Sequence, residues 1–209
     1  MDIQTWLLYL AAVTGLSLTP GPNGLLSLTH GVIYGTRRTL FTVSGGIIGF
    51  ALLMALSMAG LGALLATSEK LFTVVKWLGA MYLIYLGIHT WRAQPVAVTV
   101  DRSHIASHNE SSWPLFTRGF LVAVSNPKVI LFFTAFLPQF IDPAESQWLQ
   151  FSVMLVTFSV IEFVVETILA GSAERLAPWL SRSGNMRIFN RISGGTFIAA
   201  GTFLAAMEK

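Results

Sequence analysis

Three charged side chains stand where an apolar sequence should carry none: Lys128, Glu162 and Glu166. Lys128 closes a short polar break, Ser125-Asn126-Pro127-Lys128, and the nearest other formal charges are Arg118 and Asp142. The flanks, 119–124 and 129–141, read as membrane-spanning helix. At about 1.5 Å rise per residue, Lys128 lies roughly 15 Å in from Arg118, near the middle of a hydrocarbon core about 30 Å thick. A lysine there costs about 2.5–3.5 kcal/mol even on the lenient insertion scale, so it calls for a partner or a wet cavity. Pro127 removes a backbone donor and disfavours helical geometry at Asn126, which frees carbonyls that lipid cannot satisfy. Such a break can recognise a substrate carboxylate through Lys128, or hold a charge pair that changes during transport. The plainer alternative is a lysine that snorkels or neutralises a structural carboxylate; its depth favours function.

Glu162 and Glu166 are four residues apart, so they share one face of a helix. Glu162 lies about 12 residues, roughly 18 Å, from Glu174, a depth close to that of Lys128. It is therefore the expected counter-ion of Lys128, and a pair that opens and closes can bind and release a proton. A fixed ion pair between two helices is the structural alternative. Nothing in the sequence offers Glu166 a partner. A second break, Thr19-Pro20-Gly21-Pro22-Asn23, interrupts the apolar run from Asp2 to Arg37. It offers half-helix ends to a zwitterion, positive N-termini for a carboxylate and bare carbonyls for an ammonium. As a mere kink it would let helices cross.

These residues need elements to position them, and composition says which. Of 209 residues, 54% are hydrophobic and 11% charged, against about 25% charged in a soluble domain. The chain reads as an all-α polytopic membrane protein. Six transmembrane helices follow from the apolar spans: a broken span from Asp2 to Arg37, then Leu40–Thr67, Leu71–Trp91, a broken fourth span ending at Phe140, Leu149–Ala170 and Ile188–Met207. Glu69-Lys70 reads as a short hydrophilic turn, Asp142-Pro143-Ala144-Glu145 as an acidic turn, and Ser172–Arg182 as a short amphipathic surface helix. The start lacks a basic region and its apolar run is too long for a cleaved signal, so it reads as a retained first helix. One transporter domain, 1–209, is expected: repeat one over about 1–92, a cytoplasmic loop over about 93–113, and repeat two over about 114–209.

The two halves each carry a proline–asparagine break, at Pro22-Asn23 and Asn126-Pro127. Three spans per half force the halves into opposite orientation, so helices 1 and 4 are the broken members of two inverted three-helix repeats, the arrangement that marks a transporter site. Nine basic residues (Arg37, Arg38, Arg92, Arg102, Arg118, Arg175, Arg182, Arg187, Arg191) fall on one side, and Lys70, Lys76 and Lys209 on the other. The positive-inside rule puts the nine in the cytoplasm and both termini outside.

Several classes drop out. No basic stripe points to nucleic acid, and zero cysteines exclude disulfides, thiolate metal sites and dithiol redox chemistry. No nucleotide loop or serine–histidine arrangement is present, so neither a cofactor nor an enzyme is expected. His104 and His108 are four apart but lack a further ligand and read as solvated loop. His30 and His89 read as interfacial. A metal-ion exporter would want clustered ligands without a lysine among them. A scaffold would not explain a midplane lysine. The small-residue runs of the second span serve internal packing or a homodimer equally well.

Leu18-Thr19-Pro20-Gly21-Pro22-Asn23 resembles the first-helix signature of the LysE/RhtB amino-acid exporters. So do Trp77-Leu78-Gly79-Ala80-Met81-Tyr82-Leu83-Ile84-Tyr85-Leu86-Gly87 and Ser125-Asn126-Pro127-Lys128-Val129-Ile130-Leu131-Phe132-Phe133, which Pro138-Gln139-Phe140-Ile141-Asp142 extends. The resemblance covers nearly the whole chain. It implies a secondary transporter in a bacterial inner membrane that exports amino acids or close derivatives (homoserine-, threonine- or leucine-like) and exchanges them for protons. Carried over by position, the substrate-binding set is Thr19, Pro20, Gly21, Pro22, Asn23, Asn126, Pro127 and Lys128. Glu162 occupies the place of a common acidic residue in the fifth helix; Glu166 departs from the family pattern and stands, on its spacing from Glu162, as a second candidate carboxylate for proton coupling.

Overall fold

The computed structural model describes residues 1–19, 21–67, 69–93, 111–142, 144–180 and 183–206, and among them the chain is helical with no strand. Asp2 starts α1 (Ile3–Leu18) by accepting from the amides of Gln4 and Thr5 at 2.8 and 2.9 Å, two of the four orphan donors of a helix start. Thr19 ends it at ψ 124°, the extended geometry that a following proline enforces. α2 (Pro22–Tyr34) begins with proline in its first turn, behind an extended Gly21. It stops at Gly35, whose φ of +74° suits only glycine. The first break is therefore real: two half-helices, 16 and 13 residues long.

α3 (Thr36–Thr67) and α4 (Glu69–Arg92) follow. Glu69 and Lys70 do not form the expected hydrophilic turn; both already belong to α4. α5 (Ser112–Val124) opens inside the expected loop, capped by the Ser111 hydroxyl, which accepts from the Trp113 amide. Residues 94–110, which include the expected loop with His104 and His108, lie outside the described residues. α6 (Pro127–Leu131) continues after a 46° bend, then loosens to a π-helical turn, Phe132–Phe136, and a 3-10 turn, Leu137–Phe140. The Ser57 hydroxyl bonds the Phe133 carbonyl at 2.7 Å, one of the acceptors such a loosened ladder leaves open. α7 (Gln147–Gly171), α8 (Ala173–Leu180) and α9 (Ser183–Ala206) complete the chain. By length and hydropathy Thr36–Gly60 and Gln147–Gly171 can each cross a bilayer, and the bent α5–α6 pair makes a third.

Close approach of backbones holds the helices together, as lipid requires. A side chain at Gly45 would strike the Phe116 carbonyl, and one at Gly119 the Thr42 carbonyl, so α3 and α5 meet backbone to backbone. α4 and α9 do the same through Gly87 and Gly194, where an added Cβ would lie 2.7 and 2.5 Å from the facing glycine's carbonyl. The glycines of α3 at 45, 46 and 49 thus serve internal packing. α7 lies against α1, α2 and α3, and its buried residues are Gln150, Met154, Phe158, Glu162, Glu166 and Ala170. That strict spacing of four is one i±4 ridge; Val156, Val160, Val164 and Ile168 face outward. Above the ridge's carboxylates sits an aromatic core of Tyr9, Phe50, Phe133, Phe136 and Phe158, with Phe158 edge-on to Phe50 and Phe133 at 5.5 and 5.0 Å.

Candidate functional site

Lys128 occupies the second position of α6, behind the Asn126 cap and Pro127. A cation is unfavourable at a helix N-terminus, and the side chain turns away to find acceptors. Its Nζ donates to the Leu16 and Thr19 carbonyls at 3.0 Å each. Both carbonyls lie at the C-terminal end of α1, the negative pole of that half-helix, and that of Leu16 also accepts from the Thr19 amide at 3.1 Å. The break in the first half therefore holds the lysine of the second. Gly21 makes the approach possible, since a Cβ there would lie 3.1 Å from Nζ and 3.2 Å from Cε.

The two break asparagines bond each other. Asn126 Nδ2 donates to Asn23 Oδ1 at 3.0 Å while its Oδ1 accepts from the Lys128 amide at 3.1 Å. Asn23 Nδ2 reaches the Gly119 carbonyl at 3.5 Å. All of these side chains are buried.

Glu162 and Glu166 project from α7 into the same space, and both lie within electrostatic range of the Lys128 ammonium. Neither closes an ion pair with it at 4.0 Å or less among the described residues. The lysine's direct partners are carbonyls, and its relation to Glu162 runs across the cavity. Glu162 has Ser17 as a near neighbour, short of a hydrogen bond, for the Ser17 hydroxyl has none. Glu166 does have a partner after all: Ser27 Oγ donates to its Oε2 at 3.1 Å, while Oε1 is buried without one.

These groups enclose a cavity of about 80 Å³, room for a few water molecules. Thr19, Gly21, Asn23, Asn126, Lys128, Glu162 and Glu166 all line it. Pro22 and Pro127 do not; they act through the backbone they break, and Pro20 lies outside the described residues. Leu28, Phe50 and Val165 supply the apolar wall. Sequence reasoning missed Ser17 and Phe50, which line the cavity, and Ser27, which backs it through its bond to Glu166. Ser27 was within reach, because Asn23 and Ser27 are four apart on α2 and thus share a face. His30 extends that buried polar stripe. It is not interfacial as expected but buried, its Nδ1 2.7 Å from the Thr42 hydroxyl on α3. No group of three or more metal-ligating side chains comes together among the described residues.

A family described as LysE type translocator matches residues 14–208. An uncharacterized membrane protein of Vibrio cholerae is 37% identical over 209 residues, covering 100% of both chains. A homoserine/homoserine lactone efflux protein of Salmonella typhimurium is 36% identical, covering 99% of this chain and 98% of its own. A leucine efflux protein of Klebsiella pneumoniae is 31% identical, with 99% and 97% covered. No solved structure matches.

Proposed function

The chain belongs to the LysE type translocator family, and from that premise we propose that it exports a small amino acid or close derivative, homoserine-, threonine- or leucine-like, in exchange for protons. The membrane is the bacterial inner membrane, with the arginine-rich loops in the cytoplasm and both termini in the periplasm. The observation that carries the reading is a single cavity holding a lysine on the broken end of α1 and two carboxylates opposite it. That is a binding site for a zwitterion with a proton carrier beside it.

Six spans in two inverted repeats position this site: α1–α2, α3 and α4, then α5–α6, α7 and α9. The contact between Asn23 and Asn126 and the packing of α3 on α7 and α4 on α9 pair elements that such a repeat makes equivalent, which supports it. A substrate entering from the cytoplasm presents its carboxylate to Lys128, with Asn23, Asn126 and the broken backbones of Thr19–Asn23 and Asn126–Lys128 around it. Glu162 takes a proton from outside as the substrate leaves, with Glu166 as the second carboxylate of the site. Rocking of one half against the other alternates access.

The test is transport of a panel of labelled amino acids in inverted vesicles, with and without a pH gradient. Gradient-dependent accumulation of one of them is expected. Movement indifferent to the gradient removes the proton role of Glu162, and wild-type export by both Lys128→Ala and Glu162→Gln sinks the charge mechanism.

A further inference from the structure

Resting on the reading that this cavity holds an amino acid, the geometry points to Glu166 as the group that receives the substrate's α-ammonium, leaving Glu162 as the carboxylate free to exchange a proton.

The two glutamates are one turn apart on the same ridge but differently placed. Ser27 fixes Glu166 by one oxygen, Oε2, at 3.1 Å. Its other oxygen, Oε1, is buried and has no donor. A buried acceptor without a partner is costly, and folded proteins rarely keep one unless the partner comes from elsewhere. α3 leaves the carboxylate uncovered, because the residue facing it is Gly46: a Cβ there would lie 3.8 Å from Glu166 Oε2 and 3.2 Å from Asn23 Nδ2. Glu162 has no such fixing hydroxyl; Ser17 beside it donates to nothing.

Lys128 completes the complement. An ammonium has three N–H donors, and two go to the Leu16 and Thr19 carbonyls. The cavity thus offers a remaining donor on Lys128 and, on Glu166 Oε1, a buried carboxylate oxygen without a donor. A primary α-amine with a neighbouring carboxylate satisfies both. The two contacts are separable, so recognition depends first on the amine. An ester or lactone of the same amino acid keeps the Glu166 contact and loses only the charge on Lys128. An N-acylated amino acid keeps the carboxylate and loses the ammonium. A dicarboxylic amino acid brings a second anion toward two glutamates and is rejected.

The experiment is equilibrium binding to the purified full-length protein in lipid nanodiscs, with L-leucine, its methyl ester and N-acetyl-L-leucine as probes, and L-homoserine with its lactone as a second set. The wild type should bind the free amino acid best, the ester or lactone next and the N-acetyl form least. Glu166→Gln keeps the hydrogen bond from Ser27. It should weaken acid and ester alike by about 10- to 100-fold, the scale of one lost charge-assisted bond, and abolish the preference over the N-acetyl form. If Glu166→Gln does not give folded protein, Ser27→Ala serves instead: acid and ester should weaken by the same factor. Full preference for the amine in Glu166→Gln overturns the assignment, as does loss of that preference in Glu162→Gln instead. A wild type that binds neither leucine nor homoserine brings down the transport reading for these cargoes, and the assignment with it.

Discussion

Gly21→Ala separates the docking of Lys128 from the rest of the break. The glycine is extended, at φ −146° and ψ 175°, which alanine adopts freely. The added methyl would lie 3.1 Å from Lys128 Nζ and 3.2 Å from Cε. Ordinary contact needs about 3.5–4.0 Å, so the ammonium must retreat by roughly half an ångström. Its two bonds, now 3.0 Å each, then stretch toward the limit of a hydrogen bond at about 3.5 Å. If each loses half of its roughly 1.5–3 kcal/mol, the sum is about 1.5–3 kcal/mol, or about 10- to 100-fold in an equilibrium. Alanine's stiffer unfolded chain returns about 0.4–1 kcal/mol of stability, so the fold loses a net of about 1–2 kcal/mol. Export should therefore drop about 10- to 100-fold, because a shift well under 1 Å in a positioning group can cost that much, while the melting temperature drops by only a few degrees. The control is Gly35→Ala, where φ is +74° and nothing lies within 4 Å. Its strain lowers stability comparably, by about 1 kcal/mol, and should leave export alone. Wild-type export by Gly21→Ala at normal expression would show that the lysine on the end of α1 is a structural prop, and the argument for the site would fail.

Gly45→Ala and Gly119→Ala should behave in the opposite way. Each puts a methyl onto a facing backbone carbonyl, and backbone cannot retreat as a lysine tip can. A loss of about 3 kcal/mol or more is expected, seen as poor folded yield and a much lower melting temperature before any transport is measured. Gln150 clamps the turn before α7, accepting from the Asp142 amide and donating to its carbonyl at 2.9 Å each. Gln150→Leu leaves both groups unpaired and should cost about 2–4 kcal/mol by thermal unfolding. At the chain start, hydrogen bonds from Thr5 hold the Asp2 carboxyl below its ordinary value of 3.8. A depressed folded value means the cap's contribution is present above that value and lost as pH falls through the lower folded one. Faster amide exchange in the first turn of α1 should appear only below about pH 4 and be absent in Asp2→Ala, where the cap is missing at every pH.

Local chemistry made the breaks legible. A proline dictates the backbone before it wherever it sits, so Thr19 and Asn126 are extended as Pro20 and Pro127 require. A charge in an apolar run declares itself by cost alone, and the spacing of four between Glu162 and Glu166 put them on one face before any fold was known. The polar stripe of α2 was equally local: Asn23 and Ser27 are four apart and His30 lies on the same helix, although the sequence reading takes only Asn23 into the site and puts His30 at the interface. What the residues could not state was who meets whom. Attraction of opposite charges pointed Lys128 to Glu162. The folded chain instead brings the end of α1 against the start of α6, so that the lysine's first acceptors are two carbonyls no side-chain pattern advertises. The donor for Glu166 came from a helix more than a hundred residues away in sequence. The start of α4 at Glu69 also overrode a polar pair that looked like a turn. Sequence determines the breaks, faces and buried charges, because each is decided within a few residues. Partners are decided by how closely the helices pack. In this chain that rests on glycines that let one backbone reach another, and on the requirement that every polar group the breaks expose be met inside the protein.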